Sequence, residues 1–354
     1  MKNVLTYFVL LSCILIYAVS LSEPLTKKIV AYKYRSSSIL ASDKYRYGDL
    51  FGMSYYPNIM KDPSQEIRYE REKCDSITKD IDLYALCDSY VWSFLKSDTF
   101  YCNVNKLMYA TVNNFDYLQS QLDTTKTNVL LFEFSERNVM FMVRDKFDYM
   151  KDFLKISDTT NISYQQPPNE NLFTSYLFNK NINTNLEFNI FEASLFTGIK
   201  KIRATINFDF LKTPNKDVLI SPDNKYMLYQ QTIDPASMTS SFTPISDNEI
   251  DTVVSRLNQI YGQYMAMGFR EVYLSIIPNT VSILYPDLNG YKYNNLILRI
   301  QNHPSLKIPI IDIYSEFKKT KAYPVFLQTD THWNMNGAFL WLNTFNRTLR
   351  NIER

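Results

Sequence analysis

Nucleophilic catalysis needs a hydroxyl or thiol, a base to take its proton, and a group that orients the base. The stretch Gln328 to Ala338, QTDTHWNMNGA, holds one of the two histidines in 354 residues. Histidine is the side chain best suited to shuttle a proton near neutral pH. Asp330 stands two residues before His332, and a carboxylate can hold an imidazole in one tautomer. The matching hydroxyl is Ser89. The apolar run Ile81 to Leu86, IDLYAL, reads as a buried strand, Cys87-Asp88-Ser89 follows it, and Tyr90 to Leu95 fits a helix. Ser89 then stands at a strand's carboxyl end and a helix N-terminus, where unpaired N–H groups can stabilise a developing oxyanion. Each feature has a plain alternative: Asp88 or Ser89 as an ordinary helix cap, and His332 packed under a tryptophan.

The elements that must bring these residues together are legible in the apolar pattern. Asn128 to Phe134, NVLLFEF, is a second strong strand, and Ser135-Glu136-Arg137-Asn138 follows it. Asp247 to Met267 reads as the clearest helix. Ser246 and Glu249 form a capping box; Ile250, Val253, Val254, Leu257, Ile260, Tyr261, Tyr264 and Met265 share one face; Gly268 ends it. Glu271 to Ile277 is a strand. A helix is expected over Tyr293 to Ile300, a strand over Ile308 to Tyr314, and a helix over Met335 to Arg350. Apolar strands alternating with helices predict a parallel sheet covered on both faces. Helices are also expected over Asn113 to Leu122, Met142 to Leu154 and Asn185 to Thr197. Ala204 to Phe210 and Tyr226 to Gln230 read as strands of a small α+β insertion spanning about 155–240, which also holds Pro167-Pro168. Residues 23–80 form an irregular, tyrosine-rich lead-in, in which Lys44 to Tyr56 reads as a turn near a site. The main domain is 81–354.

Composition narrows the function class. Apolar residues are 45% and charged residues 21%, so the chain is globular. The net charge of +2 offers no basic excess for nucleic acid. Glycine numbers 7, and neither GxGxxG nor GxxxxGK[ST] occurs, which leaves no phosphate cradle and no nucleotide cofactor. The cysteines, 13, 74, 87 and 102, lack zinc-site spacing, so no metal is expected. Cys13 lies in the apolar segment; Cys74 and Cys102 are the expected disulfide. Lys2 followed by the uncharged run Val4 to Ser22 reads as an export segment within residues 1–22. Two readings of it stay open: a signal peptide with Ala18-Val19-Ser20 as cleavage site, or an uncleaved anchor over 4–22. Either places the chain outside the cytoplasm, in a periplasm or cell envelope.

Asp88-Ser89 after the first buried strand, with Asp330-x-His332 before the last helix, resembles the SGNH hydrolase superfamily. Asp330 to Trp333, Gly337-Ala338, Glu133 with Arg137 beyond it, and Leu228-Tyr229 resemble the alginate O-acetyltransferase-like branch. That branch usually carries its Asp-x-His half before its serine half, so the order here is permuted. Cys87 stands where a glycine is usual, and Pro278-Asn279-Thr280 where Pro-x-Lys is. The resemblance implies a flavodoxin-like three-layer α/β sandwich with a parallel sheet. It implies O-acetyl transfer to or from an exported polysaccharide through an acyl-serine, often with a membrane acyl-donor partner. Ser89, His332 and Asp330 are then catalytic; Ser89, Arg137 and Asn138 supply oxyanion donors; Trp333, Tyr229 and Glu133 line the substrate site. An acetyl esterase using the same triad, and an inactive glycan-binding protein of the same fold, are the alternatives.

Overall fold

A computed structural model describes residues 2–22, 24–29, 46–60, 69–74, 79–156, 181–192, 194–213 and 215–352. The chain divides into two units. The smaller comprises Met1–Pro63, Gln166–Met227 and Gln328–Asp330; the larger comprises Ser64–Gln165, Leu228–Leu327 and Thr331–Arg354. Pro167-Pro168 lie outside the described residues.

The larger unit is an α/β domain around a five-stranded sheet. Its strands are β1 (Ile81–Cys87), β2 (Val104–Thr111), β3 (Thr127–Ser135), β4 (Glu271–Ile277) and β5 (Ile310–Ile311), in the order β5-β4-β3-β1-β2. Every neighbouring pair is parallel. β1 is buried at all positions, and β3 and β4 at all but their first. That is why they read as continuous apolar runs: a parallel sheet covered on both faces has no polar side to alternate with. The arrangement is compatible with a three-layer α/β sandwich. β2 stands one side of β1 and β3 the other, so the strand order reverses between β1 and β3. In open α/β sheets the crevice at the carboxyl ends of such a pair is where ligands bind.

The smaller unit holds the N-terminal helix α1 (Lys2–Leu21). Its stretch Asn3–Leu21 is long and apolar enough to cross a bilayer. The unit also contains helices Asp49–Ser54, Ile182–Phe191 and Ser194–Thr205. In the larger unit, α2 (Ser89–Phe94) follows β1 and α3 (Glu136–Met140) follows β3. α4 (Asp247–Ala266) carries the capping box expected of Ser246 and Glu249. It buries Ile250, Val253, Val254, Leu257, Ile260 and Tyr264, while Tyr261 and Met265 lie at the half-buried margin. Gly268 follows at φ +103°, a conformation that L side chains rarely adopt. The C-terminal helix α5 (Met335–Ile352) docks on the sheet through Trp341, whose Nε1–H donates to Ser275 Oγ at 2.8 Å. Cys74 and Cys102 are disulfide-bonded. Cys87 is buried and free, and Cys13 is exposed and free.

Several sequence expectations are corrected. Asn113 to Leu122 is not a helix: Phe115 takes φ +51°, and Leu118–Ser120 pairs in parallel with Leu154–Ile156. Met142 to Leu154 is broken into a π-turn (Phe141–Asp145) and a short helix (Phe147–Asp152). Asn185 to Thr197 is split between Ile182–Phe191 and Ser194–Thr205. Ala204 to Phe210 is not a strand; it continues Ser194–Thr205 as a π-turn, Ile206–Phe210. The helix read over Tyr293 to Ile300 starts later, at Leu296, because Asn295 sits in the left-handed region. Ile308 to Tyr314 is a strand for two residues only, since the Asp312 carboxylate caps the helix Ile313–Lys319. Met227–Tyr229 is a strand, as read.

Candidate active site

β1 ends at Cys87, and Asp88 takes extended backbone angles before α2 begins. This aspartate is 1% exposed and ties two strand ends together. Its Oδ1 accepts the Tyr90 N–H at 3.0 Å, an ordinary N-cap. Its Oδ2 accepts the Ser135 N–H at 2.6 Å and the Asn138 side-chain amide at 3.4 Å. Its own N–H donates to Glu133 Oε2 at 3.0 Å. The turn after β1 is thereby fastened to the end of β3, on the crevice between the two strands. Ser89 is the next residue, half-buried, with a backbone N–H that makes no hydrogen bond among the described residues.

His332 arrives from the other end of the chain. Phe326 and Trp333 form an antiparallel bridge, the Leu327 N–H donates to His332 O at 3.1 Å, and the Asn334 N–H donates to Val325 O at 2.9 Å. Asn334 Oδ1 then accepts the Gly337 N–H at 3.1 Å, which anchors the start of α5. Tyr90 reaches across from α2: its hydroxyl donates to the Thr331 carbonyl, and its ring centroid lies 4.8 Å from that of His332. The result is Ser89 Oγ 2.6 Å from His332 Nε2, across a sequence separation of 243 residues. With the proton on Nδ1, Nε2 is free to accept the serine proton, which is the geometry of an activated nucleophile.

The other expected site residues fare differently. Asp330 belongs to the smaller unit, where its Oδ2 accepts the Asp49 N–H at 2.9 Å and its carboxylate lies within 4.8 Å of that of Asp49. Of the stretch read as a turn, Lys44 to Tyr56, Lys44 and Tyr45 lie outside the described residues; within it Asp49–Ser54 is instead a helix, and its first N–H is the one that reaches Asp330. Gly48 makes this possible, at φ +109°, since a Cβ there would collide with the Thr329 carbonyl. Asn138 donates one side-chain N–H to Asp88 at 3.4 Å and so also props the turn. Arg137 lies in the first turn of α3 with its guanidinium carbon 5.9 Å from the Tyr229 ring centre, and both residues are half-buried. Trp333 and Glu133 are each 0% exposed and are corrected as substrate contacts. Trp333 packs edge-on against Tyr90 at 5.3 Å and tilted against Trp341 at 5.8 Å; it is a core residue. Burial, reinforced by the neighbouring charge of Asp88, pushes the Glu133 carboxyl well above the usual carboxylate range. Burial also pushes the Cys87 thiol up, as expected of a packed, unreactive cysteine. Sequence reasoning missed Asp88 as a clamp and Tyr90 as the link to the histidine segment. Only the pairing of β1 with β3 gives Asp88 its second set of partners.

Gly337 is a close-packed point of the histidine segment. A Cβ there would collide with the Val325 carbonyl and stand 2.9 Å from the Trp333 Cβ. Gly337→Ala is therefore expected to destabilise the larger unit by about 1–3 kcal/mol, read as a lower urea midpoint. An unchanged midpoint would mean that the histidine segment gives way freely. Comparison with protein-family models, curated proteins and solved structures finds no match to this chain.

Proposed function

We propose that this protein is a serine-dependent O-acyltransferase that moves an acetyl group to or from an exported polysaccharide. The observation that carries the reading is the 2.6 Å approach of Ser89 Oγ to His332 Nε2 at the carboxyl ends of β1 and β3. The strand order, with the serine after β1 and the histidine just before the last helix, supports an SGNH-type sandwich.

In this reading Ser89 Oγ attacks the acyl carbonyl as its proton passes to His332 Nε2. The carbonyl oxygen takes the negative charge, and the Ser89 N–H donates to it. Arg137 is the candidate for further stabilisation; each such donor is worth roughly 3 kcal/mol of barrier. Collapse of the tetrahedral intermediate breaks the bond to the leaving oxygen, which receives the proton from His332. The acyl-serine is then opened by a sugar hydroxyl or by water; His332 takes that proton and returns it to Ser89 Oγ as the acyl–serine bond breaks. Asp330 is the carboxylate that the sequence offers for orienting the imidazole. Tyr229, half-buried beside Arg137, is the aromatic surface offered to a sugar ring. The acyl donor on this reading is a membrane partner, and the N-terminal apolar helix serves export or anchoring.

Transfer and hydrolysis separate in one assay. Acetate released from an aryl acetate is measured with and without an oligosaccharide acceptor, and acetylated acceptor is counted by mass. Acceptor-dependent consumption of the ester with acetylated product is expected. Release that ignores the acceptor would make the protein an esterase with the same residues. No release, together with no labelling of Ser89 by a serine-directed phosphonate, would remove acyl chemistry.

A further inference from the structure

The smaller unit displays an apolar stripe that its own packing leaves uncovered. Along the helix Ser194–Thr205 and its continuation Ile206–Phe210, Ile199 is 67% exposed, Ile202 63%, Ile206 44% and Phe210 76%. The opposite side is engaged within the unit: Thr197 and Ala204 are buried, and Lys200 pairs with Glu192 at 2.9 Å. Asp209, the acid of this segment, accepts from Tyr56 Oη at 2.5 Å and from Asn58 Nδ2 at 3.0 Å. The charges left on the outer side are therefore basic, Arg203 and then Lys212, both exposed.

The same unit carries α1, which is exposed over most of its length and long enough to span a bilayer. The end of α1 is built into the unit. Ser20 is 0% exposed; its carbonyl accepts from Asn185 Nδ2 and its hydroxyl from Asn189 Nδ2, each at 2.9 Å. Both asparagines lie on Ile182–Phe191, and the helix with the apolar stripe begins three residues after that helix ends. Lys27 and Lys28 follow α1 and are exposed. An amphipathic helix with isoleucine and phenylalanine on one side and arginine or lysine at its margin suits the boundary between headgroups and acyl chains.

We propose that Ser194–Phe210 is an interfacial helix: α1 stays in place as an anchor, and the stripe of Ile199, Ile202, Ile206 and Phe210 lies in the anionic surface of the bilayer that α1 crosses. The proposal does not depend on the chemistry at Ser89. It is tested with the full chain reconstituted into phosphatidylcholine vesicles containing phosphatidylglycerol. Phe210→Trp changes an exposed aromatic for another, so folding is undisturbed, and Leu10→Trp reports α1. Quenching by lipids brominated at different depths is read after subtracting the parent protein's signal. Strong quenching of Phe210→Trp by shallow bromines and of Leu10→Trp by deep ones is expected. Removing phosphatidylglycerol should lower the Phe210→Trp quenching at least about two-fold. Quenching at Leu10 without quenching at Phe210 overturns the proposal. So does a Phe210→Trp signal that is blue-shifted but unquenched in cross-linkable dimers, which would assign the stripe to a second copy. An unquenched Leu10→Trp overturns the anchoring of α1, and equal quenching without phosphatidylglycerol overturns the headgroup partner.

Discussion

Alanine at Ser89 or at His332 is expected to lower acetyl-ester turnover by about 10⁴-fold or more, and the double substitution is expected to cost little beyond either single one. The reason for non-additivity is the 2.6 Å contact itself. Without the base, the serine hydroxyl is a poor nucleophile; without the hydroxyl, the base has no proton to take. Both side chains are half-buried and removing either leaves a small vacancy, so the urea midpoint should stay close to that of the parent. A serine-directed phosphonate is expected to add the mass of one phosphonyl group to the parent and none to Ser89→Ala, while His332→Ala should label far more slowly. If the two single effects multiply instead, the residues act separately and the contact is incidental. Retained turnover in either single variant removes the pair from catalysis altogether.

How much of this was legible in the amino-acid order depends on which faces are buried. β1, β3 and β4 are readable because their apolar runs are unbroken. The edge strand β2 was not anticipated: Asn105 and Lys106 interrupt it, because an edge position exposes residues that a central strand would bury. Ala204 to Phe210 has the alternation of a strand but extends an existing helix, whose last turn is held by Asp209 on Tyr56 and Asn58. For the site, residue types pointed to both partners: Ser89 at a strand's carboxyl end, where ligands bind in open α/β sheets, and His332 beside Asp330 just before the last helix. The contact between them is set by the sheet order and by Tyr90, neither of which shows in a linear pattern. Trp333 illustrates the limit. A tryptophan beside a histidine can be a sugar platform or a core residue, and only the neighbouring Tyr90 and Trp341 rings decide for the core.

Glu133 yields the second large effect, through its protonation state. It is 0% exposed, and burial together with the Asp88 charge raises its pKa well above the ordinary range. The unfolded chain releases this proton near pH 4.3, whereas the folded chain keeps it to a higher pH. Between those two values the native state binds the extra proton, so its stability falls as pH rises through that window, by up to about 1.4 kcal/mol per pH unit. Below the window the contribution is complete. Gln at this position mimics the neutral acid at every pH and still accepts the Asp88 N–H. Glu133→Gln is therefore expected to flatten the pH dependence and to exceed the parent in stability at neutral and alkaline pH, with Ser89 still held and turnover retained. Glu133→Ala removes the acceptor that now sits 3.0 Å from the Asp88 nitrogen. That leaves a buried donor unpaired at about 1–3 kcal/mol, with a cavity beside it that adds to the loss. Urea denaturation of the three proteins at acid, neutral and alkaline pH decides the matter. A Glu133→Gln profile parallel to the parent's would mean that Glu133 is ionised in the native protein, and that the serine turn rests on a buried charge rather than on a buried acid.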